Sequence, residues 1–360
     1  MSPEISSPSE NAIRFSRVMN LKQLVAMGSS ISVGVGVFIL LGIFTRLAGV
    51  QSLITPYLVM AVAALPIVLT YSERLAVLPG SGGAYNLARS SKQVWLVYLV
   101  GWFLLGGFVA LVALLGWGVA LYLDILLTLF FDSSFDLTLI ATVVIGLLAL
   151  NNILGSPSTS GSRSTFVYGA IIVLAIIIFR NLLYPAPPDQ PSYFVYNTLS
   201  ITTLATLMMS SLWGLQFILN LRNEMHRPTR TLMKSMLLTL VLGAGLGMLA
   251  GWVVTPYYGM PIMLTPLAEI LTDNGLMPAN LASVILAVAG LAIGSIGLRL
   301  AFVHYLRLID DMVRDGFLPE RILVISDKHH VSVVSLALIA IISILLVNLI
   351  GIELNKNVLI

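Results

Sequence analysis

The apolar residues of this chain fall in long, nearly unbroken runs, not at the spacing of a surface helix or in the alternation of a half-buried strand. Nine runs stand out: Leu24–Phe44, Leu53–Tyr71, Val94–Phe131, Leu137–Leu154, Phe166–Phe179, Ile201–Leu221, Leu232–Val254, Leu281–Leu306 and Val331–Ile350. Most reach about 18 residues or more, the length at which an apolar run reads as a bilayer span and not a buried core helix. A membrane barrel would show short alternating segments instead. The pattern predicts an all-α polytopic membrane protein with about nine spans.

The third run is the ambiguous one. As a straight helix, Val94–Phe131 would rise about 57 Å against a hydrocarbon core of about 30 Å, so it reads as one long tilted span or as two. Charge decides, because cytosolic loops collect Lys and Arg. With one span and a cytosolic amino terminus, Arg14, Arg17, Lys22, Arg74, Arg89, Lys92, Arg163, the cluster from Arg222 to Lys234, Arg307, Arg314, Arg321 and Lys328 share the inner side. Arg46, Arg180 and Lys356 then fall outside. Two spans would reverse every later loop, so one span is predicted, with an external carboxyl terminus. The stretch 182–200 carries Pro185, Pro187, Pro188 and Pro191, and the stretch 256–280 has no Lys or Arg. Both read as external connections, the second with a short helix over 266–272.

Composition agrees: 58% of residues are hydrophobic, 10% are charged and the mean hydropathy is +0.98, more than a soluble core calls for. Without cysteine there is no disulfide framework, thiolate metal site or cysteine nucleophile. The spans hold no metal-ligand spacing, nucleophile–base pair or phosphate loop, and His329–His330 lies in a cytosolic loop. Neither a cofactor nor an enzyme activity is predicted. A net charge of +3 with no basic, aromatic-interleaved run speaks against nucleic acid. The polar start, residues 1–16, lacks the build of a signal peptide and reads as a cytosolic tail.

Two spans carry interruptions. In the first, Gly28-Ser29-Ser30-Ile31-Ser32-Val33-Gly34-Val35-Gly36-Val37-Phe38 sets three glycines and three serines into an apolar helix. Glycine costs about 1 kcal/mol relative to Ala inside a helix, which marks a weak point. If the helix breaks there, amides and carbonyls are freed at mid-membrane and must face protein or a wet cavity. The other reading is close packing of helices through small residues. In the sixth span, Ser210-Ser211-Leu212-Trp213-Gly214-Leu215-Gln216 interrupts a second helix. Two broken helices five spans apart are the pattern of an inverted-repeat transporter, which favours a binding site.

At this point the sequence resembles the amino acid-polyamine-organocation permeases. The first-span glycines with Phe38, the Tyr71-Ser72-Glu73 and Leu78-Pro79-Gly80-Ser81-Gly82-Gly83-Ala84-Tyr85 stretch, Gly101-Trp102, and Asn152-Ile153-Leu154-Gly155 follow the family's order. So do Gly214 with Glu224 and Pro228-Thr229-Arg230, and Arg307 with Met312 and Arg314-Asp315-Gly316-Phe317-Leu318-Pro319. The resemblance covers about Leu21 to Ile350. It implies the five-plus-five inverted-repeat, leucine-transporter-like fold, alternating access, and amino acids or related amines as substrates.

Carried over residue by residue, the resemblance puts a substrate carboxylate on the amides of Val35 and Gly36. The ammonium would face carbonyls near Ser32, Val33 and Gly34 and from Ser210 to Trp213 and Gly214. Leu105 and Phe108 would line the side-chain pocket, favouring a neutral or hydrophobic substrate. Trp213 reads as a gate or as a packed tryptophan. Glu73, Glu224, Arg230, Arg307, Arg314 and Asp315 read as an inner gate that exchanges charged partners, or as a solvated basic face that sets topology. Arg299, deep in the eighth span, is an intramembrane charge: a ligand for an acidic group, a fixed substitute for a coupling cation, or a scaffold contact. His304 is a proton-relay candidate or a packed neutral histidine, and Asp124 reads as interfacial.

The stretch His304-Tyr305-Leu306 lacks the hydroxyl pair of the sodium-coupled relatives, which leaves proton coupling, exchange or facilitated diffusion. Asn223 and Met233 depart from the family pattern at the inner gate. Read as a whole, the sequence predicts a cytosolic tail (1–22), a first repeat (23–181), an external loop (182–200), a second repeat (201–351) and a short tail (352–360), with the tenth span of the fold missing. The expected function is a secondary permease of the cell (inner) membrane, embedded in the lipid bilayer, with H+ as a possible co-substrate. Either the chain is a truncated or partial one, or a partner subunit fills the gap, or the protein no longer transports; a homo-oligomer is a further expected form. The alternatives are a non-transporting sensor or receptor subunit and a truncated, inactive permease.

Overall fold

The computed structural model describes residues 19–48, 52–77, 83–131, 135–154, 160–183, 200–225, 228–254, 279–323 and 332–358. Among them every regular element is helical. The first span is α1 (Leu21–Val33) followed by a π-helical segment (Gly34–Ile39) and α2 (Leu41–Ala48). Next come α3 (Ile54–Val77), the short α4 (Gly83–Ser90), α5 (Val94–Phe131), α6 (Leu137–Ile153) and α7 (Ser160–Leu183). The sixth span is α8 (Ile201–Met208), a 3-10 segment (Met209–Leu212) and α9 (Trp213–Asn220). It is followed by α10 (Pro228–Val254), α11 (Ala279–Arg314) and α12 (Val333–Val358).

Eight of the described helices are long and apolar enough to cross a membrane, and α6, at 17 residues, is a shorter apolar helix. The disputed third run is one continuous helix of 38 residues. The short helix expected over 266–272, the loop motif at 78–82 and the pair His329–His330 lie outside the described residues.

Local chemistry sets the helix ends. Asn20 and Gln23 form a reciprocal cap at the start of α1, each side chain on the other's backbone N–H at 3.0 Å. Asp136 and Ser200 cap α6 and α8 more simply, each side chain accepting one backbone N–H, from Thr138 and Thr203. α11 stops at Gly316, whose φ of 78° only glycine adopts without strain. The Phe317 N–H returns to the Met312 carbonyl at 3.0 Å, and the Phe317 ring packs on Tyr98. That is the physical content of the Arg-Asp-Gly-Phe run.

The packing order gives the architecture. α1 lies against α9, α3 against α10, α5 against α11 and α6 against α12, so each of the first four spans rests on its counterpart five places later. α1 also packs on α10 and α3 on α8, a pair of contacts exchanged by the same relation. Among the described spans this is an interlocked arrangement of four counterpart pairs in an all-α, polytopic fold, with α1 at its centre: every residue from Leu24 to Val33 is buried. In a bilayer the outer faces are solvated by lipid, so exposed Phe103, Phe166 and Leu345 on the outer helices call for no partner.

Candidate functional site

The two interruptions meet. The first helix does not unwind: from Gly34 to Ile39 it widens into a π turn, with the Leu40 N–H on the Val35 carbonyl at 2.9 Å. A π turn keeps its backbone bonded inside the membrane while displacing the register, and such turns cluster at functional sites. Where the sequence suggested an unwound break, the structure has a π turn. The sixth span tightens instead, into the 3-10 segment at Met209–Leu212.

Glycine lets the two segments touch. A Cβ on Gly36 would stand 2.7 Å from Ser211 Cβ, and one on Gly214 would overlap the Gly28 carbonyl oxygen and come within 2.5 Å of Ser32 Oγ. Gly28 itself lies in regular helix, where a side chain would strike Ile218 at 2.6 Å and Thr239 Oγ1 at 2.8 Å. Of the three first-span glycines, Gly28 serves packing, and Gly34 and Gly36 belong to the irregular turn. Ser32, Val33 and Val35 are buried there. Ser211, not Ser210, faces the first helix, with its Cβ against Gly36; both hydroxyls donate to their own helix, Ser210 to the Leu207 carbonyl and Ser211 to that of Met208.

Aromatic rings stand beside this junction. Trp213 covers Gly107 of α5, where any side chain would overlap its ring, and meets Phe108 edge-on at 5.4 Å. Phe108 in turn meets Phe217 at 5.9 Å, and Phe217 meets His304 at 4.4 Å. Leu105 is buried on the same face of α5 as Gly101 and Phe108. Trp213 also lines a cavity of about 270 Å³ that follows one face of the sixth span from Met209 to Leu219, with Tyr71, Leu104 and Met236 on its other walls.

The charged end of the bundle holds two clasps. Arg307 of α11 forms an ion pair with Glu224 and donates to the Asn220 carbonyl at 3.1 Å. The Glu224 carbonyl in turn accepts from the Met19 N–H at 3.0 Å, tying the start of the first span to the end of the sixth. In the second clasp, Arg89 of α4 holds Asp315 at 2.8 Å, with Asp311 at 3.8 Å. The Tyr85 hydroxyl donates to the same Asp315 oxygen at 2.8 Å. Burial, then this bond to Asp315, pushes the Tyr85 phenol well above its ordinary value. Burial is the largest influence on the Arg89 guanidinium and works against its charge, yet the bond to Asp315 together with the negative charges of Asp315 and Asp311 outweighs it and raises its pKa.

Of the six residues expected to gate, three form inter-element contacts here: Glu224, Arg307 and Asp315. Arg314 pairs with Asp310 within its own helix at 2.9 Å and joins nothing across a gap. Glu73 and Arg230 are exposed and make no ion pair among the described residues. Tyr85, Arg89 and Asp311 were missed, although Tyr85 with Arg89 and Asp311 with Asp315 stand four residues apart, the spacing that puts side chains on one helix face. Arg299 lies within electrostatic reach of Arg163 at the start of α7, which also feels Glu224.

Comparison with known proteins can now be set against this geometry. A model of the family described as amino acid permease matches residues 19–360. The chain belongs to that amino acid permease family. Similar relatives include the vacuolar cationic amino acid transporter 2 of Arabidopsis thaliana, 23% identical over 340 residues that cover 85% of this chain and 51% of the relative. The branched-chain amino acid permease of Bacillus subtilis is 22% identical over 332 residues, 87% of this chain and 70% of the relative. Its counterpart in Lactococcus lactis is 24% identical, with 85% and 70% covered. The chain thus spans about half the length of the plant transporter it matches. Within the permease family the π turn, the 3-10 turn and the two clasps acquire a common context, that of a multi-pass membrane protein in a family of permeases, not enzymes.

Proposed function

We propose that this chain carries amino acids across a cell membrane by alternating access, with the substrate held where the π turn of the first span meets the 3-10 turn of the sixth. The observation that carries this reading is the contact of the two irregular segments at Gly36 and Ser211. A change of register displaces backbone groups from the regular ladder, and two such changes facing each other bring those groups to one place, where parting of the segments would offer them to a zwitterion. The segments touch at Gly36 and Ser211, and on this reading the substrate enters as they part. Leu105, Phe108 and Trp213 make the adjoining wall apolar, which supports a neutral, hydrophobic amino acid, in line with the branched-chain permeases.

The clasps at Arg307–Glu224 and Arg89–Asp315 form the proposed inner gate, on the cytosolic side by the distribution of Lys and Arg. Coupling to a proton is the proposed driving force. His304 is wholly buried, and neither ring nitrogen has a hydrogen-bond partner among the described residues. Arg299 is proposed as a fixed positive charge close to Arg163, where other transporters would hold a cation.

The test is counterflow in proteoliposomes containing the purified chain. Saturable exchange of labelled leucine, competed by valine and weakly by arginine, is expected. A folded protein that neither binds nor exchanges any amino acid would overturn the proposal.

A further inference from the structure

Two tyrosines bracket the π turn. The Tyr57 hydroxyl, from α3, donates to the Gly36 carbonyl at 2.9 Å, and the Tyr122 hydroxyl, from α5, donates to the Phe38 carbonyl at 2.7 Å. Both side chains are buried, at 1% and 2% exposure, so each hydroxyl in place of a phenyl hydrogen calls for a partner. Their partners are the turn's own carbonyls, which would otherwise be the acceptors nearest to a ligand ammonium. Each ring is seated in a notch made by a glycine of the span five places later. A Cβ on Gly247 of α10 would overlap Tyr57, and one on Gly290 of α11 would overlap Tyr122. The same device therefore occurs twice, from α3 against α10 and from α5 against α11. Edge-on contacts with Phe44 at 6.4 Å and Phe38 at 6.0 Å fix the two rings further.

We infer that Tyr57 and Tyr122 are positioning residues that strap the first span in its closed, π-helical form by occupying the Gly36 and Phe38 carbonyls until a ligand's ammonium takes their place. The inference rests on the proposed substrate site and adds to it the groups that hold the site shut. The geometry supports a strap in preference to simple packing. Packing needs only the rings, yet both hydroxyls converge on carbonyls two residues apart in the segment of the first span that leaves regular helix. Removing the hydroxyls leaves ring, notch and ring contacts intact and removes only the hold on the turn.

The chain has no cysteine, so a single introduced thiol reports one place. Ser211→Cys puts a near-isosteric thiol against Gly36, reachable only when the two segments part. Ser343→Cys, on α12 and bonded to the Val109 carbonyl, is an equally buried reference far along the chain. The probe is a small ammonium-bearing methanethiosulfonate, added to the full chain in detergent. In the Tyr57→Phe/Tyr122→Phe background, labelling at Ser211→Cys is expected to rise at least tenfold while labelling at Ser343→Cys stays unchanged. Gly247→Ala, which pushes the Tyr57 ring out of its notch, should raise the same rate. An unchanged rate at Ser211→Cys, or an equal rise at both thiols, would overturn the strap and leave the tyrosines as packing groups. The readout needs no substrate. A rise in labelling without amino-acid binding would reject the proposed function and keep the strap; binding without the rise would do the reverse.

Discussion

The middle of the bundle and its charged end are closed by opposite means. At the middle, the first and sixth spans meet through close contacts at Gly28, Gly36 and Gly214, and neutral tyrosine hydroxyls hold the first, with no ion pair at these contacts among the described residues. At the charged end, Arg89, Arg307, Glu224 and Asp315 are held by ion pairs on side chains that keep 16–38% of their surface exposed. The difference follows from the solvent. In hydrocarbon an unpaired charge is costly at every step of an opening motion, so a junction of the kind proposed to part is suited by small residues and neutral bonds. Near water a parted ion pair is rehydrated, so charged clasps can be both specific and reversible.

The comparison can be broken most sharply at the middle. Gly214→Val would drive a side chain into the Gly28 carbonyl and should destabilise the fold by about 3 kcal/mol or more. Loss of the monodisperse species in fluorescence-detected size exclusion is the expected result; a well-folded variant would show that the spans are not in register as described. Next in size is Arg307→Ala, which leaves Glu224 part-buried without its partner and opens the contact to Asn220. A cost of about 2 kcal/mol is expected in thermal unfolding. Exchanging the charges, Arg307→Glu with Glu224→Arg, should recover at least part of it.

At the second clasp the effects are smaller. Arg89→Ala should lower stability by no more than about 1 kcal/mol, because the guanidinium is 38% exposed and its pairing is weakened by water. Salt should reduce the difference between variant and parent. Tyr85 gives a pH signature with a definite sign. Its pKa is raised in the folded state by burial and then by the bond to Asp315. The stabilisation is therefore complete below the unfolded value of about 10 and is lost as pH rises above it. Melting temperatures should be flat across pH 7–9 and fall at higher pH, with a shallower alkaline decline in Tyr85→Phe. The smallest effect belongs to Arg314→Ala, an exposed pair within one helix worth about 0.3–0.5 kcal/mol. An Arg314→Ala change as large as that of Arg307→Ala would restore Arg314 to the proposed gate.

Much of this was legible in the chain. The long apolar runs gave the spans, including the single helix at Val94–Phe131, and the two interruptions fell where the helices leave regular geometry. What could not be read was the role of each member. Gly28 and Gly36 look alike as letters, yet one meets Ile218 and Thr239 inside a regular helix and the other meets Ser211 at a π turn. Arg307 and Arg314 are both basic groups at the end of one helix, yet only Arg307 reaches across to another span. Ser210 and Ser211 are adjacent, and the 3-10 turn decides which one faces the first helix.

By itself the sequence determined that the chain is helical, how its spans are laid out and where two of them are weak. Hydrocarbon leaves few choices: backbone groups must be bonded within the helix, so length and apolarity are enough to define a span. The tertiary structure alone decided which carbonyl each buried tyrosine hydroxyl reaches, which glycine admits which neighbour and which acid closes on which arginine. These are contacts between residues as far apart as Tyr85 and Asp315, separated by 230 positions. Neither periodicity nor local composition carries information about which side chains will meet over that distance.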